Sequence, residues 1–180
     1  DETFSAARLI SDKTVYTGMV APDDVEPAVA DRYDVIVSAG GGAVGEDLLR
    51  TSLAARELTS LSTARWLIVT GPNLPDEAVS RLQSSASDNV EIVRFRPDLA
   101  ALLKQARVSV SQAGYNTVAD VLRARCASVL VPFAVHGEQE QTIRATRLEA
   151  AGLAISIRSH DLSPAGMARA IDAACRQDRH

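Results

Sequence analysis

The chain has 180 residues, enough for one domain with a sizeable core, and 46% are hydrophobic against 23% charged. A formal net charge of −4 and a pI near 5.4 argue against a sequence-independent nucleic-acid binder, which needs a basic face for phosphates. No run approaches the roughly 18 apolar residues of a membrane span, since the most apolar stretch, Ser128 to Val135, is short and contains Pro132.

There is no charged-then-apolar leader. Cys126 and Cys175 lie far apart without a CxxC pattern and read as buried thiols of a reducing cytoplasm. The chain opens on Asp1 rather than Met, which suggests a segment cut from a longer protein.

In chain order, Asp1 to Val20 carries one short β signal, Thr14–Gly18, before a Pro/Asp-rich connector from Ala21 to Pro27. Short apolar runs then follow at Asp34–Ala39, Arg65–Thr70, Val90–Phe95, Val108–Ser111, Ser128–Val131 and Leu153–Ile157. Runs this short, β-branched and nearly continuous predict strands buried on both faces. Segments of helical spacing separate them; within Ala145–Ala151, Leu148 and Ala151 share a face. Ser163 followed by Pro164 signals the start of the last helix. Strands alternating with helices predict a Rossmann-like α/β fold, a doubly wound parallel sheet of about six strands. Ligands of such sheets bind beyond the carboxyl ends of the strands, where strand order reverses.

The first loop of interest, Ala39–Gly45, satisfies GxGxxG with Gly40, Gly42 and Gly45. Such glycines let backbone N–H groups approach an anion at a helix start, or simply permit a tight turn. A dinucleotide also needs an acid at the end of the second strand, and none occurs between Glu57 and Asp76. The NAD reading therefore loses its second contact.

The second loop runs from Val108 to Asp120: a strand, a turn at Gly114 and a helix from about Asn116. Free N–H groups at Tyr115 to Thr117, with the side chains of Asn116 and Thr117, offer an anion site. Asp120 would project from the first turn and accept bonds from vicinal hydroxyls. The same residues equally fit a capping arrangement, with Asn116 or Thr117 as N-cap and Asp120 favouring the dipole.

Gly114-Tyr-Asn-Thr-x-x-Asp120 resembles the Gly-Trp-Asn-Ser-x-x-Glu core of plant UDP-sugar glycosyltransferases and the Gly-x-x-Thr-x-x-Glu stretch of family-28 glycosyltransferases. Phe95-Arg-Pro-Asp-Leu99 is similar to the turn whose backbone reads uracil in that family. Val131-Pro-Phe133, then Glu138–Gln141 and Arg144-Ala145, resembles the segment that holds donor-sugar hydroxyls. The likeness spans roughly Tyr16 to Ile157 and is closest to a bacterial branch carrying GYNT and an EQ–RA pair.

The resemblance implies the C-terminal, donor-binding half of a GT-B glycosyltransferase, residues 28–180, preceded at 1–27 by a strand and connector leading from an acceptor domain. Phe95 and Arg96 would flank the base, mainly through the main chain. Gly114, Tyr115, Asn116 and Thr117 would hold the diphosphate and Asp120 the ribose. Glu140 and Gln141 would contact the sugar, while Gly41 and Gly42 would face the phosphates and the acceptor. His136 would touch the pyrophosphate or acceptor, or else be a solvated loop residue.

This resemblance further implies inverting transfer from a UDP-sugar, with no cofactor. The general base would come from the N-terminal acceptor domain, so these residues alone would turn over poorly. No Asp-x-Asp motif is present, so metal-free stabilisation of the leaving diphosphate is expected.

The chain departs from the pattern in three places. Gln112 stands where plant enzymes have His, Asp120 is one methylene shorter than Glu, and the Pro132–Gln141 loop is one residue longer than in the peptidoglycan enzyme. The sugar is therefore left open. Glu140-Gln141 also fits plain helix surface. Two other classes stay on the table: a non-catalytic nucleotide-sugar-binding subunit and, more weakly, an NAD-dependent oxidoreductase domain. An epimerase acting on UDP-N-acetylglucosamine would need acids and bases that have no evident place here.

Overall fold

The computed structural model describes residue 9 and residues 11–15, 31–40, 45–133 and 139–177. Six parallel strands form one sheet: β1 Val35–Ser38, β2 Trp66–Val69, β3 Val90–Val93, β4 Val108–Ser111, β5 Ala127–Leu130 and β6 Ile155–Ser156. The helices between and after them are α1 Glu46–Ala55, α2 Asp76–Ser84, α3 Leu99–Leu103, α4 Tyr115–Ala124, α5 Glu140–Ala150 and α6 Pro164–Arg176. The strand order is β3-β2-β1-β4-β5-β6, so the direction of winding reverses between β1 and β4. That is the doubly wound Rossmann-like sheet which the alternating runs predict.

All residues of the central strands β1, β2 and β4 are buried, Ser109 and Ser111 of β4 among them. The expectation of burial on both faces fails at the margins. β3 and β6 are the edge strands, and their residues are half-buried or exposed. Thr14 and Val15 carry no strand, against the β signal read there, and Tyr16 to Gly18 lie outside the described residues.

One face of the sheet packs on α1, α2 and α6 around the fully buried Trp66, Ile68, Met167 and Ile171. Trp66 Nε1 donates to the Leu61 carbonyl at 2.9 Å, which satisfies the one polar atom of the largest core side chain. The opposite face packs Ile36, Leu67 and Val69 under α3 and α4 through Leu102, Leu103 and Val121. Cys126 is buried on this side and Cys175 only half-buried; both are free thiols.

The predicted cap of α6 is formed: Ser163 Oγ accepts from Gly166 N–H at 3.2 Å, with Pro164 at the first helical position. α5 presents Ala145 and Leu148 to the cluster around Ala113, Val118 and Leu130. Ala151 lies past its end and is exposed, so Leu148 and Ala151 do not share a buried face. Among the described residues no helix is long and apolar enough to cross a membrane.

Candidate functional site

The loops after β1 and β4 meet where the winding reverses. Gly40 adopts the left-handed φ of 74°, and a Cβ there would lie 3.7 Å from Gln112 Oε1. Gly45 packs its helix onto the strand end, since a Cβ would stand 2.5 Å from that of Ala39. Two of the three motif glycines are thereby explained by turn geometry and close packing. Gly41, Gly42 and His136 lie outside the described residues.

Two helix starts face this edge, and their electrostatics differ. α1 opens with Glu46 and Asp47, so its N-terminal dipole is already answered by its own carboxylates. α4 has no acidic residue in its first turn and no side-chain cap. Its first intrahelical bond runs from Val118 N–H to the Gly114 carbonyl at 3.0 Å, so the N–H groups of Tyr115, Asn116 and Thr117 precede the ladder. Of the two, α4 is the better anion site.

The capping alternative does not survive. Gly114 is the N-cap, with extended backbone, and Asn116 and Thr117 sit inside the first turn. Asp120 is the sixth residue of the helix and therefore in its second turn, not the first. Burial pushes its carboxyl above the ordinary range, with Arg123 opposing the rise. A carboxylate serving the dipole or a cap would shift downward instead.

The turn after β3 lies next to this helix. Leu99, Thr117 and Asp120 line a common small cavity. Phe95 is exposed at the same sheet edge, 69% accessible, as a base-facing residue must be. The Arg96 side chain points away from it. Its Nε and Nη2 form a fork with Asp98 at 2.9 and 3.0 Å, and it also reaches Tyr33 and Asp31. That fork raises the Arg96 pKa and holds the Asp98 carboxyl below the usual range. Only the main chain of Arg96 is left to face a ligand.

On the other side, α5 is fastened to the α4 loop. Arg144 Nη1 donates to the Ala113 carbonyl at 2.6 Å, its guanidinium lies 5.8 Å from the centre of the Tyr115 ring, and it pairs with Glu140. Gln141 Oε1 accepts from Phe133 N–H at 3.1 Å, a bond in which its amide NH2 takes no part. Arg144 was quoted in the EQ–RA pair without a role of its own. A cation one helical turn after Glu140 is an ordinary surface pairing in a sequence, and only the fold brings it to Ala113.

Beside these loops, on the α1 side of the sheet, lies a cleft of about 500 Å³ lined by Gly45, Glu46, Asp47, Gln112 and Phe133 among others. No group of three or more His, Cys, Asp or Glu placed to hold a metal ion occurs among the described residues. Thus Phe95–Arg96, Gly114–Thr117 and Glu140–Gln141 follow the carboxyl ends of β3, β4 and β5, with Asp120 in the second turn of α4.

Residues 35–179 match the glycosyltransferase family 28 C-terminal domain. The chain belongs to glycosyltransferase family 28. It is 28% identical over 155 residues to the UDP-N-acetylglucosamine--N-acetylmuramyl-(pentapeptide) pyrophosphoryl-undecaprenol N-acetylglucosamine transferase of Vibrio atlanticus, covering 85% of this chain and 43% of that protein. The family-28 domain thus spans a little under half the length of this curated relative. In fold it is similar to the calicheamicin glycosyltransferase CalG4, with a TM-score of 0.66 and 21% identity over 86% of this chain and 36% of that one. It is likewise similar to the glycosyltransferase VinC, solved in complex with dTDP, with a TM-score of 0.65 and 21% identity over 86% and 37% of the two chains. These are GT-B glycosyltransferases, and the six-stranded sheet is that of their C-terminal domains.

Proposed function

We propose that this domain binds the nucleoside-diphosphate sugar of a family-28 glycosyltransferase, with a UDP-sugar as donor. The observation that carries the proposal is the acid-free N-terminus of α4 at the point where the winding reverses, flanked by an exposed Phe95 and by the Glu140–Gln141 turn. A diphosphate seated on the N–H groups of Tyr115 to Thr117 puts its ribose toward Asp120 and its base toward Phe95–Arg96. Its sugar then falls toward Gln141. UDP is favoured by the relative that uses a UDP-sugar; dTDP, seen with VinC, is the competing pyrimidine nucleotide.

In the proposed reaction an acceptor hydroxyl attacks the anomeric carbon with inversion. The bond from that carbon to the diphosphate breaks, and the α4 N–H groups stabilise the charge that develops on the leaving group, without a metal. The general base and the acceptor site are assigned to another part of a longer protein, since the chain spans less than half of its relatives. Glu46 and Asp47 make the neighbouring cleft a poor seat for phosphate, so the acceptor held by that other part is taken to meet this domain along the cleft. An oxidoreductase reading has no such support: β2 leads into Thr70-Gly-Pro72, with no acid to hold a ribose.

Thermal shift with UDP-, dTDP- and GDP-sugars and NAD tests the assignment, because a ligand of the folded state raises stability by RT ln(1 + [L]/Kd). The largest shift is expected with UDP-sugars. A larger one with NAD refutes the proposal. Transfer by the full-length protein separates an enzyme from a binding subunit.

A further inference from the structure

Beneath α4, between the sheet and helix α3, lies a cavity of about 20 Å³ lined by Ser38, Ser109, Ser111, Thr117 and Asp120 among others. Ser109 and Ser111 are 2% and 1% exposed, and neither hydroxyl has a hydrogen-bond partner among the described residues. Two successive inward hydroxyls on a central strand are chemically conspicuous. Their neighbours Val108 and Val110 serve the apolar core on the other face. A serine whose only task is to fill space would be better replaced by alanine, because an orphaned buried hydroxyl is costly.

We infer that this cavity holds one buried water joining the hydroxyls of Ser109 and Ser111 to the carboxylate of Asp120, which makes the two serines positioning residues for that acid. The volume fits: a water needs at least about 10–15 Å³ of such space, and the cavity offers about 20 Å³. The water donates to the carboxylate and accepts from both serine hydroxyls, so each buried hydroxyl gains a partner. A seryl hydroxyl turns onto the water by rotation about a single bond. Asp120 is one methylene shorter than the Glu of the family pattern, and the water supplies from below the fixed contact that holds a shorter side chain in place. The ionised form gains a donor, which offsets part of the burial that raises its pKa, with Arg123 of the same helix acting in the same sense.

The inference rests on the ribose role proposed for Asp120, and its test keeps the two apart. Water-to-amide NOE spectra of the full chain, a carbon-13 titration of the Asp120 carboxyl, melting curves and UDP affinity are compared for wild type, S109A, S111A and the double variant. Expected are a long-lived water signal at the amides of residues 109–111, lost in the double variant, and an Asp120 titration moved up by about one pH unit. UDP binding should weaken several-fold with it. A higher melting temperature in the double variant with an unmoved Asp120 titration overturns the inference, because the hydroxyls are then true orphans. The wild-type spectrum decides by itself if a variant fails to fold: absence of the water signal overturns the inference too. A moved titration with unchanged UDP affinity upholds the water and overturns the ribose role.

Discussion

Arg144 donates to the carbonyl oxygen of Ala113, 31 positions earlier, at 2.6 Å. One guanidinium therefore sets the distance between the helix that follows β5 and the turn that follows β4. The same group stacks toward Tyr115 and pairs with Glu140, so two candidate residues share one tether with Ala113.

Arg144→Ala should loosen that tether. A loss of about 1–2 kcal/mol in stability is expected from the charge-assisted bond to Ala113, the exposed Glu140 contributing little. Affinity for UDP-sugar should fall more than affinity for UDP. Arg144→Lys should restore stability only in part, because an ammonium cannot serve carbonyl, carboxylate and ring at once. Urea melts and calorimetry of the three proteins check both effects. Equal stability in all of them would sink the tether.

Gln141 has two ends with two jobs. Its carbonyl oxygen holds Phe133 N–H, and its amide NH2 is the group proposed to read the sugar. Gln141→Glu keeps the acceptor and removes the donor, so folding should be unchanged while UDP-sugar affinity drops and UDP affinity stays. Gln141→Ala should lose about 1 kcal/mol of stability as well. If Q141E binds UDP-sugar as well as wild type does, the sugar is not read by this amide.

Asp120 carries the opposite sign from most acids. Its folded-state pKa is raised, so the associated stability is fully present below the unfolded value near about 3.9 and lost as pH rises through the folded value. Asp120→Asn should then be more stable than wild type at pH 7, by up to about 1 kcal/mol, and bind UDP more weakly by about 1–3 kcal/mol. Lost affinity without a gain in stability would mean that the carboxylate is solvated, not buried.

Asp98 behaves conventionally. Its pKa is depressed by the Arg96 fork, so its contribution is present above the unfolded value and disappears as pH falls through the folded one. Asp98→Ala leaves Arg96, whose side chain is 15% exposed, without its forked partner and should cost about 2–3 kcal/mol. The cost should shrink on acidification. A pH-independent difference between variant and wild type would assign it to packing.

β1 and β2 were legible because burial on both faces leaves no polar position within Val35–Val37 or Leu67–Val69. The margins were less so. β3 and β6 have apolar runs of similar length, and nothing in a run tells how many neighbours it will have. Asp120 was found by its spacing from Gly114, but its burial depends on α3, packed beside it from a distant part of the chain. The pattern Val-Ser-Val-Ser at 108–111 did announce one polar face on a central strand, a signal that strand assignment alone passes over. Gln141 was legible as a site candidate, yet its bond to the main chain of Phe133, eight positions earlier, is not written in either residue type.

The reversal of winding also divides the molecule in a way that bears on its cooperativity. The chain up to β3 builds one wing, β3-β2-β1, and the chain from β4 onward builds the other. Within the sheet the two wings meet along one ladder, Val35 to Ser38 against Val108 to Ser111, and above it α6 of the second wing packs on α1 of the first. A nucleotide bound at the end of that ladder touches both wings and acts as a clasp across their seam. Slow hydrogen exchange should therefore deepen first in β1 and β4 when ligand is added. Two fragments separated near Gln105 should associate more tightly in its presence, with the substrate itself helping to assemble the fold.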